Sequence, residues 1–168
     1  MDMTWTSDNT DPLDRILIHY GYLSAFPANT MISWVTHEIR HQPVSLEYKF
    51  DVSMSGVLGV GNDITKWTAE EKALATQKIA EYKRIRPIVQ QGIVHRLISP
   101  FKTNRSALQY ISEDGNETVV FCYNMGNYMP NSKPDYKVIN ILKLEGLQAE
   151  KYYSIEKPDA AAGSQKET

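Results

Sequence analysis

Helix signals stop at Gly92, and everything after it reads as strand and turn. A chain that alternates strand with helix in its first part and carries strands alone in its second must join an α/β unit to an all-β unit. In the first part, Asp11-Pro12-Leu13-Asp14 starts a helix. Asp11 is placed to cap, Pro12 fits the first helical position, and Asp14 adds negative charge to the first turn. Leu13, Ile16, Leu17 and Tyr20 follow at helical spacing, and Gly21 suits the stop. Thr68-Ala69-Glu70-Glu71 is a capping box that opens a second helix. That helix carries Ala75, Ile79, Tyr82 and Arg86 on one stripe, with Leu74 and Ile85 beside it, and Pro87 kinks or ends it.

Met31 to Thr36 reads as a strand ending at His37 and Glu38. Phe50 to Met54 reads as another, broken by Ser55-Gly56. Polar residues cluster where these strands end, which suits the closing third of a (β/α)₈ barrel, residues 1–92. An open third of a barrel leaves parallel strand edges uncovered, so the chain on its own is expected to self-associate. After Gly92, Val94 to Leu97, Ala107 to Ile111, Thr118 to Tyr123, Val138 to Leu144 and Tyr152 to Ile155 are short β-type runs. Glu113-Asp114-Gly115-Asn116 joins two of them as a hairpin. These runs predict a small antiparallel sheet or sandwich over residues 93–157. The stretch 158–168, rich in Ala, Gly, Ser and charge, reads as a disordered tail.

Composition removes several classes. A net charge of -2 gives no reason to expect nucleic acid as a partner. No apolar run is long enough to cross a membrane, and no charged segment followed by an apolar one marks a secretion signal. One cysteine, Cys122, cannot form an internal disulfide, which favours a reducing, cytoplasmic setting. Lying in Val119-Val120-Phe121-Cys122-Tyr123, it is expected to be a buried, inert thiol.

The chemistry concentrates near the start. Met3-Thr4-Trp5-Thr6-Ser7-Asp8-Asn9-Thr10-Asp11-Pro12 reads as a strand end that breaks into a polar turn before the first helix. Asp8 is the candidate for chemistry, and capping is the plain alternative for an aspartate there. The two roles divide: Asp11 is placed to cap, and Asp8 lies too far upstream for that job. Trp5 is a flat platform for the apolar face of a sugar, or simply a buried ring.

This segment resembles the general acid/base motif of the family 36 glycoside hydrolases, the bacterial α-galactosidases. The likeness continues through Ser33-Trp34-Val35-Thr36-His37, residues 49–56, residues 58–64 and residues 82–90. It goes on through Arg96-Leu97-Ile98-Ser99-Pro100-Phe101 and the β-rich end, in the family's order. The resemblance implies a retaining hydrolase of terminal α-galactosyl residues, of the melibiose or raffinose type. It implies Asp8 as general acid/base and Trp5 as a wall of the galactose pocket, with no cofactor and with oligomers in the family. It also implies a nucleophile on a K-W-D strand end. This chain has no K-W-D; Lys66-Trp67 is followed by Thr68. Most of the catalytic domain is therefore expected before Met1, and the chain alone is expected to be inactive. The rival reading is a non-catalytic remnant that binds carbohydrate or a partner. A third keeps the family but changes the reaction to transglycosylation or to an α-N-acetylgalactosaminide.

Three other features have plain readings. Gly56-Val57-Leu58-Gly59-Val60-Gly61 lacks the spacing of a phosphate loop and reads as a bend after a barrel strand. His37, Glu38 and His41 are spaced one residue too far for the zinc-helix motif, on a segment that does not read as helix, so no metal is expected. His19 and His95 show no partners and read as surface or packing histidines.

Overall fold

Asp11 caps the first helix as its position requires. Its carboxylate accepts from the backbone N–H groups of Leu13 and Asp14, with Pro12 at the first helical position. The computed structural model describes residues 2–126, 128 and 141–156. Its elements run β1 (Thr4–Trp5), α1 (Pro12–Tyr22), β2 (Met31–Val35), α2 (Leu46–Ser53), β3 (Val57–Val60), α3 (Ala69–Gln91), β4 (Ile93–Ile98), β5 (Arg105–Ile111) and β6 (Thr118–Asn124). β1, β2 and β3 form a parallel sheet in chain order, and β4, β5 and β6 an antiparallel one. The first part is thus a repeated strand–helix unit, and the second a meander. Among the described residues, the outer edges of β1 and β3 carry no partner strand.

Two expected elements change identity. Phe50 to Met54 is not a strand; it lies in and just after α2. Read over five residues, Phe-Asp-Val-Ser-Met alternates like a strand. Extended upstream, Leu46, Phe50 and Ser53 fall on a helical repeat, and Ser45 caps it by accepting from Tyr48 N–H. The strand is instead Val57–Val60, so the glycine-rich run is strand rather than bend. Helix α3 passes through Pro87 and ends at Gln91, and its buried stripe is Ala75, Lys78, Tyr82, Ile85, Ile88 and Val89, leaving Arg86 exposed. The capping box at Thr68 and Glu71 is formed in both directions.

In the second sheet the hairpin between β5 and β6 forms as expected, with Gly115 at φ +69° in its turn. Ile141 to Leu144 and Tyr152 to Ile155 are not strands. Their large apolar side chains find no sheet to cover: Ile141 is 81%, and Ile155 87%, exposed. The first part of the expected Val138 to Leu144 run, residues 138–140, and the tail 158–168 lie outside the described residues. Cys122 is exposed rather than buried, because β6 turns Phe121 and Tyr123 inward and the residue between them outward. No helix among the described residues is long and apolar enough to cross a membrane.

A buried polar network fastens the first sheet to its helices. Arg15, 1% exposed, donates from Nη2 to the Ile32 carbonyl at 2.7 Å and from Nε to His19 Nε2 at 3.0 Å. Ser33 Oγ lies 3.1 Å from that same nitrogen. His19 Nδ1 lies 3.0 Å from Ser55 Oγ, which donates to the Val52 carbonyl. The Arg15 donor makes Nε2 an acceptor, so the ring is neutral with its proton on Nδ1. Burial, and then the Arg15 charge, hold His19 well below the usual histidine range. The turn after α2 is held from the other side as well. Tyr110 of β5 donates to the Ser55 carbonyl at 2.7 Å, and Tyr82 of α3 to the Gly56 carbonyl at 2.7 Å.

This network makes stability depend on pH. The unfolded imidazole titrates near about 6.5, whereas the native one stays neutral well below that. Below that pH the unfolded state binds a proton that the folded state refuses, so stability falls with pH, by up to about 1.4 kcal/mol per unit. The urea midpoint, at fixed protein concentration, is expected to drop between about pH 7 and pH 5. His19→Gln lowers stability at neutral pH but flattens that slope; an unchanged slope in the variant contradicts the assignment.

Candidate functional site

The residues singled out at the start of the chain meet at the C-terminal end of the parallel sheet. β1 pairs Thr4 with Met31 and Trp5 with Ile32, and the chain leaves the strand at Thr6. Asp8 follows in the turn between β1 and α1, exposed to solvent. The indole Nε1 of Trp5 donates to Asp8 Oδ1 at 2.8 Å. This is the placement a parallel α/β sheet gives to groups that meet a ligand.

Asp11 is the cap of α1, as its position suggested. Asp11 is fully buried, with Oδ1 on the Leu13 and Asp14 amides and Oδ2 on the Arg40 amide at 2.7 Å. Each of its oxygens is committed to backbone. Among the described residues, Asp8 has one side-chain donor, on one oxygen, and it is exposed to solvent.

The loop from β2 to α2 closes against this turn. Glu38 accepts from the Thr10 amide at 2.6 Å and from the Thr10 hydroxyl, and Arg40 Nε lies against its other oxygen. The Thr10 hydroxyl bond, the largest favourable influence, holds the Glu38 carboxyl below its usual value. Asp14 accepts from Asn9, and His41 Nε2 and the Tyr128 hydroxyl contact its other oxygen. Burial works to raise Asp14, but the hydrogen bonds from Tyr128, Asn9 and His41 outweigh it and hold it low.

Thus the His37-Glu38-His41 segment folds as a loop brace. Glu38 and His41 reach different partners, and neither role was visible in sequence, because Thr10 and Asp14 lie more than twenty-five residues upstream. Asp11, Asp14 and His41 bring ligand-type atoms within 4.8 Å of one another. Their lone pairs already serve backbone amides, Asn9 and Tyr128, which makes this a hydrogen-bonded cap rather than a set of free ligands. His19, read as a surface or packing histidine, is buried in the network beneath the site; His95, on β4, lies 3.2 Å from Glu145.

The chain is similar to a defined set of proteins. The family described as Melibiase matches residues 1–92. Alpha-galactosidase AgaA of Geobacillus stearothermophilus is 37% identical over 159 residues, 93% of this chain and 21% of that protein. Alpha-galactosidase 1 of Pediococcus pentosaceus is 31% identical over 144 residues, 84% of this chain and 20% of that protein. Among solved structures, the GH36 alpha-galactosidase AgaB of Geobacillus stearothermophilus superposes with a TM-score of 0.76 at 37% identity, covering 87% of this chain and 20% of that one. A variant of AgaA solved in complex with raffinose matches at a TM-score of 0.75 and 36% identity, covering 87% of this chain and 20% of that one. The chain therefore spans about a fifth of the length of the relatives it matches.

The two aspartates should separate in a stability measurement. Asp11→Ala removes a cap and strands the Arg40 amide, and should cost about 2 kcal/mol or more. Asp8→Ala, exposed and with one partner, should stay within about 0.5 kcal/mol. Urea unfolding of the two variants checks this; equal losses would make Asp8 structural.

Proposed function

The chain belongs to the melibiase family of GH36 alpha-galactosidases, and from that premise we propose that it is the section bearing the general acid/base of a retaining α-galactosidase. The observation that carries this is the Trp5–Asp8 pair at the C-terminal end of a parallel β/α sheet. In this reading β1 to β3 with α1 to α3, residues 1–92, are three consecutive units of a (β/α)₈ barrel. Residues 93–157 are the β-unit that follows it. The strand–helix order, the parallel register and the match of the family over residues 1–92 support that reading.

The substrate is a terminal α-galactoside of the melibiose or raffinose type. A relative's structure in complex with raffinose, and another in complex with stachyose, support this class. Trp5 forms one wall of the pocket. Asp8 protonates the departing glycosidic oxygen, then takes a proton from the water that opens the galactosyl-enzyme. The nucleophilic carboxylate, about 5–5.5 Å from the acid/base in a retaining site, comes from sequence outside these 168 residues. An acid/base alone cannot form the covalent intermediate, so the 168-residue chain has no hydrolytic activity by itself. This mechanism calls for no cofactor, and the single cysteine of these 168 residues supports a reducing, cytoplasmic setting.

Leaving-group chemistry tests the role of Asp8. In a family-length enzyme carrying this segment, Asp8→Asn should lower turnover of melibiose by about 10²- to 10⁴-fold. Nitrophenyl α-galactoside, whose leaving group needs little protonation, should still be cleaved in the first step. Azide should then restore the second step by replacing the base-activated water. Equal losses on both substrates, with no azide effect, would return Asp8 to a structural role.

A further inference from the structure

In the parallel sheet, Trp5 pairs with Ile32, and Trp34 with Gly59. Trp5, Ile32, Trp34, Val57 and Gly59 therefore share one face of the sheet. Met31, Ser33 and Val35, which alternate with them, are buried under the helices. On the shared face the Trp34 ring packs against β3 at Gly59. A Cβ at position 59 would stand 2.5 Å from Trp34 Cε3 and 2.6 Å from Cζ3, so only glycine admits the ring there. On its other side the ring meets Trp5, with centroids 5.4 Å apart and planes tilted by 43°.

Two facts show what this placement serves. Among the described residues, Trp34 Nε1 is buried without a hydrogen-bond partner. That costs about 1–3 kcal/mol, so the ring is not held there by its own polar group. Trp5, meanwhile, sits on a strand of two residues and is 54% exposed. Among the described residues, its side chain has a ring contact with Trp34 and an N–H bond to Asp8 in the turn beyond.

We propose that Trp34, seated over Gly59, is the positioning residue that aims the Trp5 indole at Asp8. The chemical consequence rests on Asp8 being the acid/base. An indole N–H only donates, so it commits Oδ1 of Asp8 as an acceptor. The transferable proton is then carried on Oδ2. Trp34 thereby selects which oxygen of the carboxyl faces the glycosidic bond.

The test is ultraviolet resonance Raman spectroscopy of the 168-residue chain, reading the indole N–H band of Trp5 as the difference from Trp5→Phe. This band reports hydrogen bonding whatever the state of assembly. Asp8→Ala should shift it in the otherwise native chain. With Trp34→Leu that shift should fall by half or more, and Trp34→Phe, which keeps an aromatic plate, should restore most of it. Gly59→Ala retains Trp34 but lifts its ring, and should match Trp34→Leu; it decides the matter if the leucine variant does not fold. A full Asp8→Ala shift in both Trp34→Leu and Gly59→Ala would overturn the proposal. If the coupling holds while Asp8→Asn leaves melibiose turnover of the family-length enzyme intact, the acid/base reading fails and the positioning of Trp5 stands.

Discussion

The buried guanidinium of Arg15 is the constraint on which the rest is arranged. Burial pulls it down only to about 10, so it is charged at neutral pH and must have acceptors. A charge removed from water without them costs several kcal/mol. Here one nitrogen is anchored on the Ile32 carbonyl of β2 and another on His19, while the third reaches toward the Ser7 carbonyl in the turn after β1. His19 passes the order on to Ser55, and Ser55 to Val52. A single helix, α1, thereby ties together the turn after β1, the first half of β2 and the turn that launches β3. Tyr110 and Tyr82 then close on the same turn, so the antiparallel sheet and α3 are docked onto one point. Apolar packing among Leu13, Ile16, Met31, Val89, Leu108 and Tyr110 fills the space between.

Above this buried layer lies a second one, made of half-buried and exposed polar groups around the buried Asp11. Glu38 grips Thr10, the Arg40 amide grips Asp11, and Asp14 gathers Asn9, His41 and Tyr128. These bonds tie the loop after β2, and the segment after β6, to the turn that carries Asp8. The result is a carboxylate that is itself lightly held, on a turn that is firmly held. That combination suits a group that must exchange a proton while keeping its place.

Local chemistry was legible in the sequence, and long-range partnership was not. The caps at Asp11 and Thr68, strand β2 and the β5–β6 hairpin follow from spacing and turn residues within a few positions. Helix α2 was misread because five residues of alternation outweighed a helical repeat that begins at Leu46, outside the window. Strand β3 was hidden by Gly59, whose presence only makes sense once Trp34 is known to lie over it. The bonds from Arg15 to Ser7 and Ile32, from Thr10 to Glu38 and between His19 and Ser55 join residues 8 to 36 positions apart, which no spacing rule connects. The contact between Trp5 and Asp8 spans three positions, within reach of a local motif.

The account centres on one claim: this stretch delivers the acid/base half of a two-carboxylate site. Complementation measures it directly. The 168-residue chain would be mixed with a version of the Geobacillus enzyme that ends before the matched stretch, and melibiose hydrolysis followed after gel filtration confirms a complex. The account predicts no hydrolysis by either part alone, hydrolysis by the complex, and none when the chain carries Asp8→Asn. An assembled complex that cleaves melibiose equally well with Asp8→Asn, or that does not cleave it with the native chain, would contradict it.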